Sequence, residues 1–139
     1  MKYSLTLSII LYICGCFYMI FGAITIRNNT KSKVNRLFLL LACSLAIWSF
    51  AYSISNSAPA AEVSTFWRTF SVFGWGGFSS ILLHFVLVLT KAESRLNRRS
   101  ILALLYLPAL INIILFGAFG YLVEKQYVMV QTDYGWLNM

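Results

Sequence analysis

The sequence predicts an all-α polytopic membrane protein, a bundle of four transmembrane helices with the N-terminus outside. Three observations carry this. Of 139 residues, 60% are hydrophobic and 11% charged, whereas a soluble domain carries roughly 25% charged residues. The apolar residues gather in four runs of about 20 residues or more, enough at about 1.5 Å per residue to cross a hydrocarbon layer of about 30 Å. Eight of the eleven Lys and Arg fall in two short stretches, 27–36 and 91–99: Arg27, Lys31, Lys33, Arg36, Lys91, Arg95, Arg98 and Arg99. Lys and Arg are retained on the cytoplasmic face during insertion, so both stretches are expected inside.

The first segment covers roughly residues 4–26. Its apolar run is too long for the h-region of a signal peptide, about 7–15 residues, and its basic cluster follows the run, so it reads as a retained helix. The second covers roughly 37–57 and is ended by Pro59, which disfavours helical backbone in the preceding residue. The third covers roughly 66–90, with Arg68 and Glu62 at or beyond its outer end, where long side chains reach water. The fourth covers roughly 100–122, and Pro108 within it removes a backbone donor, so a kink is expected. The tail, 123–139, is expected outside as part of a single membrane domain spanning 1–139. Trp67, Tyr121, Tyr127, Tyr134 and Trp136 cluster near this outer boundary, where amphipathic rings favour the headgroup level. Helices are required because hydrocarbon offers no partner to an unpaired peptide group, and the runs are too long and uniform for barrel strands.

Composition also excludes functions. The net charge of +7 is explained by the two inner loops facing anionic lipid, so no nucleic-acid partner is expected. Cys14, Cys16 and Cys43 lie in apolar segments as inert packing residues, and C-x-C is not a redox C-x-x-C. No intramembrane carboxylate supplies a proton-coupled exporter and no repeated Arg a voltage sensor. No base, nucleophile or metal cluster supplies a catalytic site, so the chain is read as no enzyme, with neither cofactor nor metal.

Polar residues inside the bilayer are the candidates for function. Gly76, Ser80 and His84 recur at steps of four, and Gly76-x-x-x-Ser80, with Gly77 beside it, permits close helix approach. Tight packing is the favoured reading there. His84, the single histidine, lies about 9 Å from the inner end of its segment. It is either a ligand-binding or proton-sensing group, or a neutral imidazole bonded to Ser80 or to a facing hydroxyl such as Ser44, and the second is favoured. Trp48, Ser79 and Asn112 fall at similar depth. If they face inward they form a weakly polar layer, either a small-molecule pocket or plain interhelical hydrogen bonding. Trp48, Tyr52, Trp75, His84 and Asn112 are the expected pocket lining.

The stretch 37–90 carries a resemblance. A basic loop precedes a helix with Trp48 and Tyr52. A short outer loop leads to Trp67-Arg68, then Gly74-Trp75, then His84-Phe85 and Thr90. This pattern, followed by the Pro108 helix and Tyr134-Gly135, resembles the N-terminal seven-helix membrane region of bacterial sensor histidine kinases. Four helices stand where that family has seven, so the resemblance implies a region truncated after the fourth. It implies an input module of two-component signal transduction in the cytoplasmic membrane, non-catalytic itself. A kinase or cyclase output domain would lie on the same or another chain, or the chain would form a homodimer. His84 lacks the acidic and Thr-Pro neighbours of a phospho-acceptor. The alternatives are a small four-helix transporter or lipid-handling protein, and an accessory subunit packed on a larger membrane partner.

Topology follows directly. Alkaline phosphatase joined after Ala60 is expected to be active, and joined after Lys31 or Arg95 inactive; activity after Lys31 or Arg95 would reverse the orientation.

Overall fold

A computed structural model describes residues 3–92, 98–119 and 129–138. Arg95, Tyr121 and Tyr127 lie outside the described residues. Five α-helices follow one another: α1 (Ser4–Asn28), α2 (Lys33–Ser57), α3 (Ala61–Phe70), α4 (Val72–Leu89) and α5 (Arg98–Asn112). A π-helical stretch, Ile113–Ala118, extends α5, and a hairpin of β1 (Met129–Thr132) and β2 (Gly135–Asn138) comes last. Three spans are long and apolar enough to cross a membrane: Ser4–Asn28, Lys33–Ser57 and Ala61–Leu89. Leu102–Ala118 is a shorter apolar helix.

Burial is inverted relative to a soluble protein. The buried positions of α1 are Ser4, Ser8, Gly15 and Gly22, while Leu5, Ile9, Ile10, Ile13, Phe17, Ile20 and Phe21 are exposed. Where lipid is the solvent, large apolar side chains lose nothing by facing outward, and small ones at the seam let backbones approach. A Cβ on Gly15 would stand 2.6 Å from the Phe50 ring. On Gly22 it would stand 3.0 Å from Ala42. The α1–α2 seam is therefore set by backbone proximity, and two serines cross-link it: Ser4 Oγ donates to Asn56 O (2.6 Å) and Ser53 Oγ to Ser8 O (2.7 Å).

The basic end of this pair is closed by local polar contacts. Asn29 Oδ1 accepts from the backbone of Lys31 and Ser32, an Asx-type turn. Ser32 Oγ caps α2 by accepting from Asn35 N, which is why α2 begins at Lys33, four residues before the expected start. Asn35 Nδ2 donates to Thr25 O (2.9 Å), satisfying a carbonyl in the last turns of α1. Arg36 Nε donates to Thr30 O, and Arg27 lies in the last turn of α1, where a cation complements the helix dipole. Lys91 follows α4 with a left-handed φ of 56°, and Arg98 and Arg99 open α5. The described basic residues of both stretches thus share one end of the molecule.

At the other end Ala58 is extended (φ −60°, ψ 140°) before Pro59, and α2 stops at Ser57. The next span starts earlier than its expected boundary because α3 is continued by α4. Ser71 keeps helical backbone between them and bonds back to Trp67 O through N and to Arg68 O through Oγ. Ser55 and Ser64, both 0% exposed, join α2 to α3 by a hydroxyl pair at 2.8 Å. Gly74 joins α2 to α4: a Cβ there would stand 2.6 Å from Trp48 N, and Ser44 Oγ donates to Gly74 O.

The spans form a row rather than a closed bundle. α1 packs on α2, α2 on α3 and α4, and α4 on α5, with no comparable contact between α1 and either α4 or α5. α5 runs through Pro108 and then widens, so that Phe119 N bonds Ile114 O across five residues. The tail, for which no element was expected, ends in a hairpin pairing Val130 with Leu137 and Gln131 with Trp136. A lone two-stranded hairpin is marginal, and this one is held by its docking. Tyr3 N donates to Asp133 O (2.8 Å), Trp136 Nε1 to Ala58 O (2.9 Å), and Arg68 to Trp136 O. Tyr3 and Tyr134 stack at 5.6 Å. Gly135, at φ 109°, presses on Asn56 so closely that a Cβ would meet its carbonyl at 2.8 Å.

Gly74→Ala is expected to destabilise the protein by about 1–3 kcal/mol through overpacking. Gly77→Ala, whose Cβ would find Ile81 at 3.8 Å, is expected to leave thermal unfolding in detergent unchanged. Equal melting of the two variants would contradict the Gly74 seam.

Candidate functional site

Among the described residues, two concavities on the flanks of the row stand out. One, of about 470 Å³, lies between α4 and α5 and is lined by Phe73, Gly77, Ile81, Tyr106, Leu110 and Ile113, among others. Its wall is almost wholly apolar, and its rim residues Leu107 and Leu110 are exposed, so hydrocarbon tails satisfy it. The other, of about 220 Å³, lies between α1 and α2 and is lined by Leu11, Tyr18, Leu45, Trp48, Ser49 and Tyr52. Specific ligand sites combine an apolar wall with a few placed polar groups, and this second groove has them.

Its residues follow from the α2 seams. Ser44 and Ser55 point α2 toward α4 and α3, and Ser53 points it toward α1. Leu45, Ser49 and Tyr52, at helical spacing, occupy the flank left between these two faces. Trp48 and Tyr52 meet edge to face at 6.2 Å. Tyr52 also carries a cation: the guanidinium carbon of Arg68 stands 5.2 Å from its ring centroid. Arg68 is half-buried and donates to Trp136 O, and its Nε is buried without a hydrogen-bond partner among the described residues. The groove therefore has aromatic and aliphatic walls, and one of its aromatic residues, Tyr52, carries the Arg68 guanidinium on its ring.

Of the five expected lining residues, the fold brings Trp48 and Tyr52 together here and places the others elsewhere. Trp75 packs on Phe116 of the π-helical stretch at 6.2 Å. His84, 6% exposed, faces α5, where its Nδ1 and the Tyr106 hydroxyl are 2.8 Å apart; the facing hydroxyl is that of Tyr106. Asn112 and Ser79 are exposed on the outside of the row, so no polar layer joins them to Trp48. Gly76 lies against Ile113, with 3.1 Å between its notional Cβ and Ile113 Cγ1, while Gly77 borders the larger cleft. Ser80 is half-buried. Tyr18, Ser49, Arg68 and Tyr106 gained roles that sequence reasoning did not give them. Ser49 and Tyr52 could be paired by their spacing of three, but Arg68 over Tyr52 depends on α3 and the hairpin meeting across the chain.

A double-mutant cycle of His84→Phe and Tyr106→Phe, by unfolding in detergent, is expected to give a coupling of about 0.6 kcal/mol and at most about 2, the range of membrane hydrogen bonds. A coupling of zero would remove that bond from the fold.

Residues 4–138 match the family model described as the N-terminal 7TM region of histidine kinase. No curated protein and no solved structure matches the chain. Inverted burial, membrane-length apolar helices and a match across nearly the whole sequence agree: the chain is a multi-pass membrane protein belonging to the family of N-terminal seven-transmembrane regions of histidine kinases.

Proposed function

We propose that the chain works as the membrane input module of a bacterial histidine-kinase system, non-catalytic in itself, with its basic loops in the cytoplasm and its hairpin and N-terminus outside the cytoplasmic membrane. A ligand or lipid settles in the groove of Trp48 and Tyr52 and favours one packing of α2 against its neighbours over another. The observation that carries this reading is the position of the groove on α2. Among the described residues that helix touches α1, α3, α4 and the hairpin, so a ligand with different affinity for two α2 placements biases the whole row. The kinase or cyclase output lies on the same or another chain.

A second reading is favoured by one observation. Among the described residues α5 packs on α4 and on no other of the long helices to a comparable extent, and Asn112, where α5 passes into the π-helical stretch, is exposed. A polar amide facing hydrocarbon is costly unless another helix supplies a partner. In this reading the chain is an accessory subunit, and α5 is its edge toward a larger membrane partner or a second copy.

The input role is tested in the bacterium that carries the chain. Ser49→Trp, which fills the groove, is expected to change the phosphorylated fraction of the cognate response regulator at least two-fold on phosphate-affinity gels. Leu104→Trp, on a side chain 78% exposed, is expected to leave it alone. Identical phosphorylation in both strains and the parent, with both variants at normal membrane levels, overturns the input role.

A further inference from the structure

Among the described residues, the Arg68 guanidinium gives one donor to Trp136 O and rests on the Tyr52 ring, while its Nε is buried without a hydrogen-bond partner. No ion pair joins it to a carboxylate among the described residues. A half-buried cation satisfied by one carbonyl and one ring face keeps most of its desolvation cost, and an anion is the group that offsets it. Below the same tyrosine runs the apolar groove, with Leu11, Leu45 and Trp48 in its walls. From Tyr52 to Leu45 is about 10 Å of helix. A positive charge resting on the tyrosine that lines one end of an apolar groove complements a molecule with a negative head and an apolar tail.

We propose that the groove binds a single-chain carboxylate amphiphile of the fatty-acid class, its carboxylate on Arg68 and its chain alongside Trp48 toward Leu45 and Leu11. The planar fork of a guanidinium matches a carboxylate in two parallel hydrogen bonds. The volume of about 220 Å³ lies below the roughly 300–1,000 Å³ of drug-sized pockets, which suits one short chain. The ligand class rests on the groove being the input site, as proposed above.

The test uses the full chain in nanodiscs of zwitterionic lipid at pH 8.5, where the carboxylate is ionised. A photoreactive decanoate analogue is the probe, with crosslinked peptides read by mass spectrometry. Saturable labelling around Leu11 and Trp48 is expected, displaced by decanoate at least ten-fold more effectively than by 1-decanol. Arg68→Gln is expected to abolish that preference and Arg68→Lys to keep part of it, since the charge remains and the fork is lost. Ser49→Trp is expected to remove the labelling. Equal displacement by the acid and the alcohol in the parent protein, a comparison that needs no variant, overturns the proposal, as does an unchanged preference in a folded Arg68→Gln. If the acid shows no preference while Ser49→Trp still alters response-regulator phosphorylation, the ligand class falls and the input role stands. If the preference holds while phosphorylation is indifferent to Ser49→Trp, the site stands and the input role falls.

Discussion

The structure depends on how closely helix backbones approach one another in a solvent that gives no hydrophobic reward for doing so. Lipid tails are as apolar as leucine, so helices hold together through packing and interhelical hydrogen bonds. Gly15, Gly22 and Gly74 each place backbone where a side chain would collide with the neighbouring helix. Each approach then brings a serine hydroxyl within reach of a carbonyl across the seam: Ser4 to Asn56, Ser53 to Ser8, Ser44 to Gly74. These bonds need the close approach, and each is worth only about 0.6 kcal/mol. Several of them along one helix fix its rotation. The rotation of α2, in turn, decides that Leu45, Ser49 and Tyr52 look sideways into a groove rather than into a neighbour.

The two ends of the row are built differently. At the basic end, contacts are local in sequence: Asn29, Ser32 and Asn35 close the loop between α1 and α2 within a few residues. At the hairpin end they span the chain. Arg68 reaches Trp136, and Trp136 reaches Ala58. Local closures form easily and hold only the connection they belong to. Long-range ones register elements that are otherwise independent, and the candidate ligand site lies beside the latter.

Much of this was legible in the sequence, for physical reasons. Apolar length gave the spans and Pro59 the end of α2. Trp48 and Tyr52, four residues apart on one helix, share a groove. The start of α2 precedes its apolar run because Ser32 caps the helix within a basic stretch. The strands of the hairpin are four residues each, too short for alternation to register. Val130 and Thr132, with Gly135 after the turn, were the available signal. The facing of Asn112 and His84 is not legible in the sequence: a uniformly apolar helix has no polar side to orient it, and its facing is decided by neighbours such as Tyr106.

The carbonyl of Asn56 has two neighbours from opposite ends of the sequence. It accepts the hydroxyl of Ser4, and Gly135 abuts it with no room for a methyl group. The first helix, the close of the second and the last strand are thus riveted at one point. A pull on the hairpin would load all three together, so that end of the protein behaves as a fixed hinge, and any swing of the helices must grow with distance from it and be greatest at the basic loops.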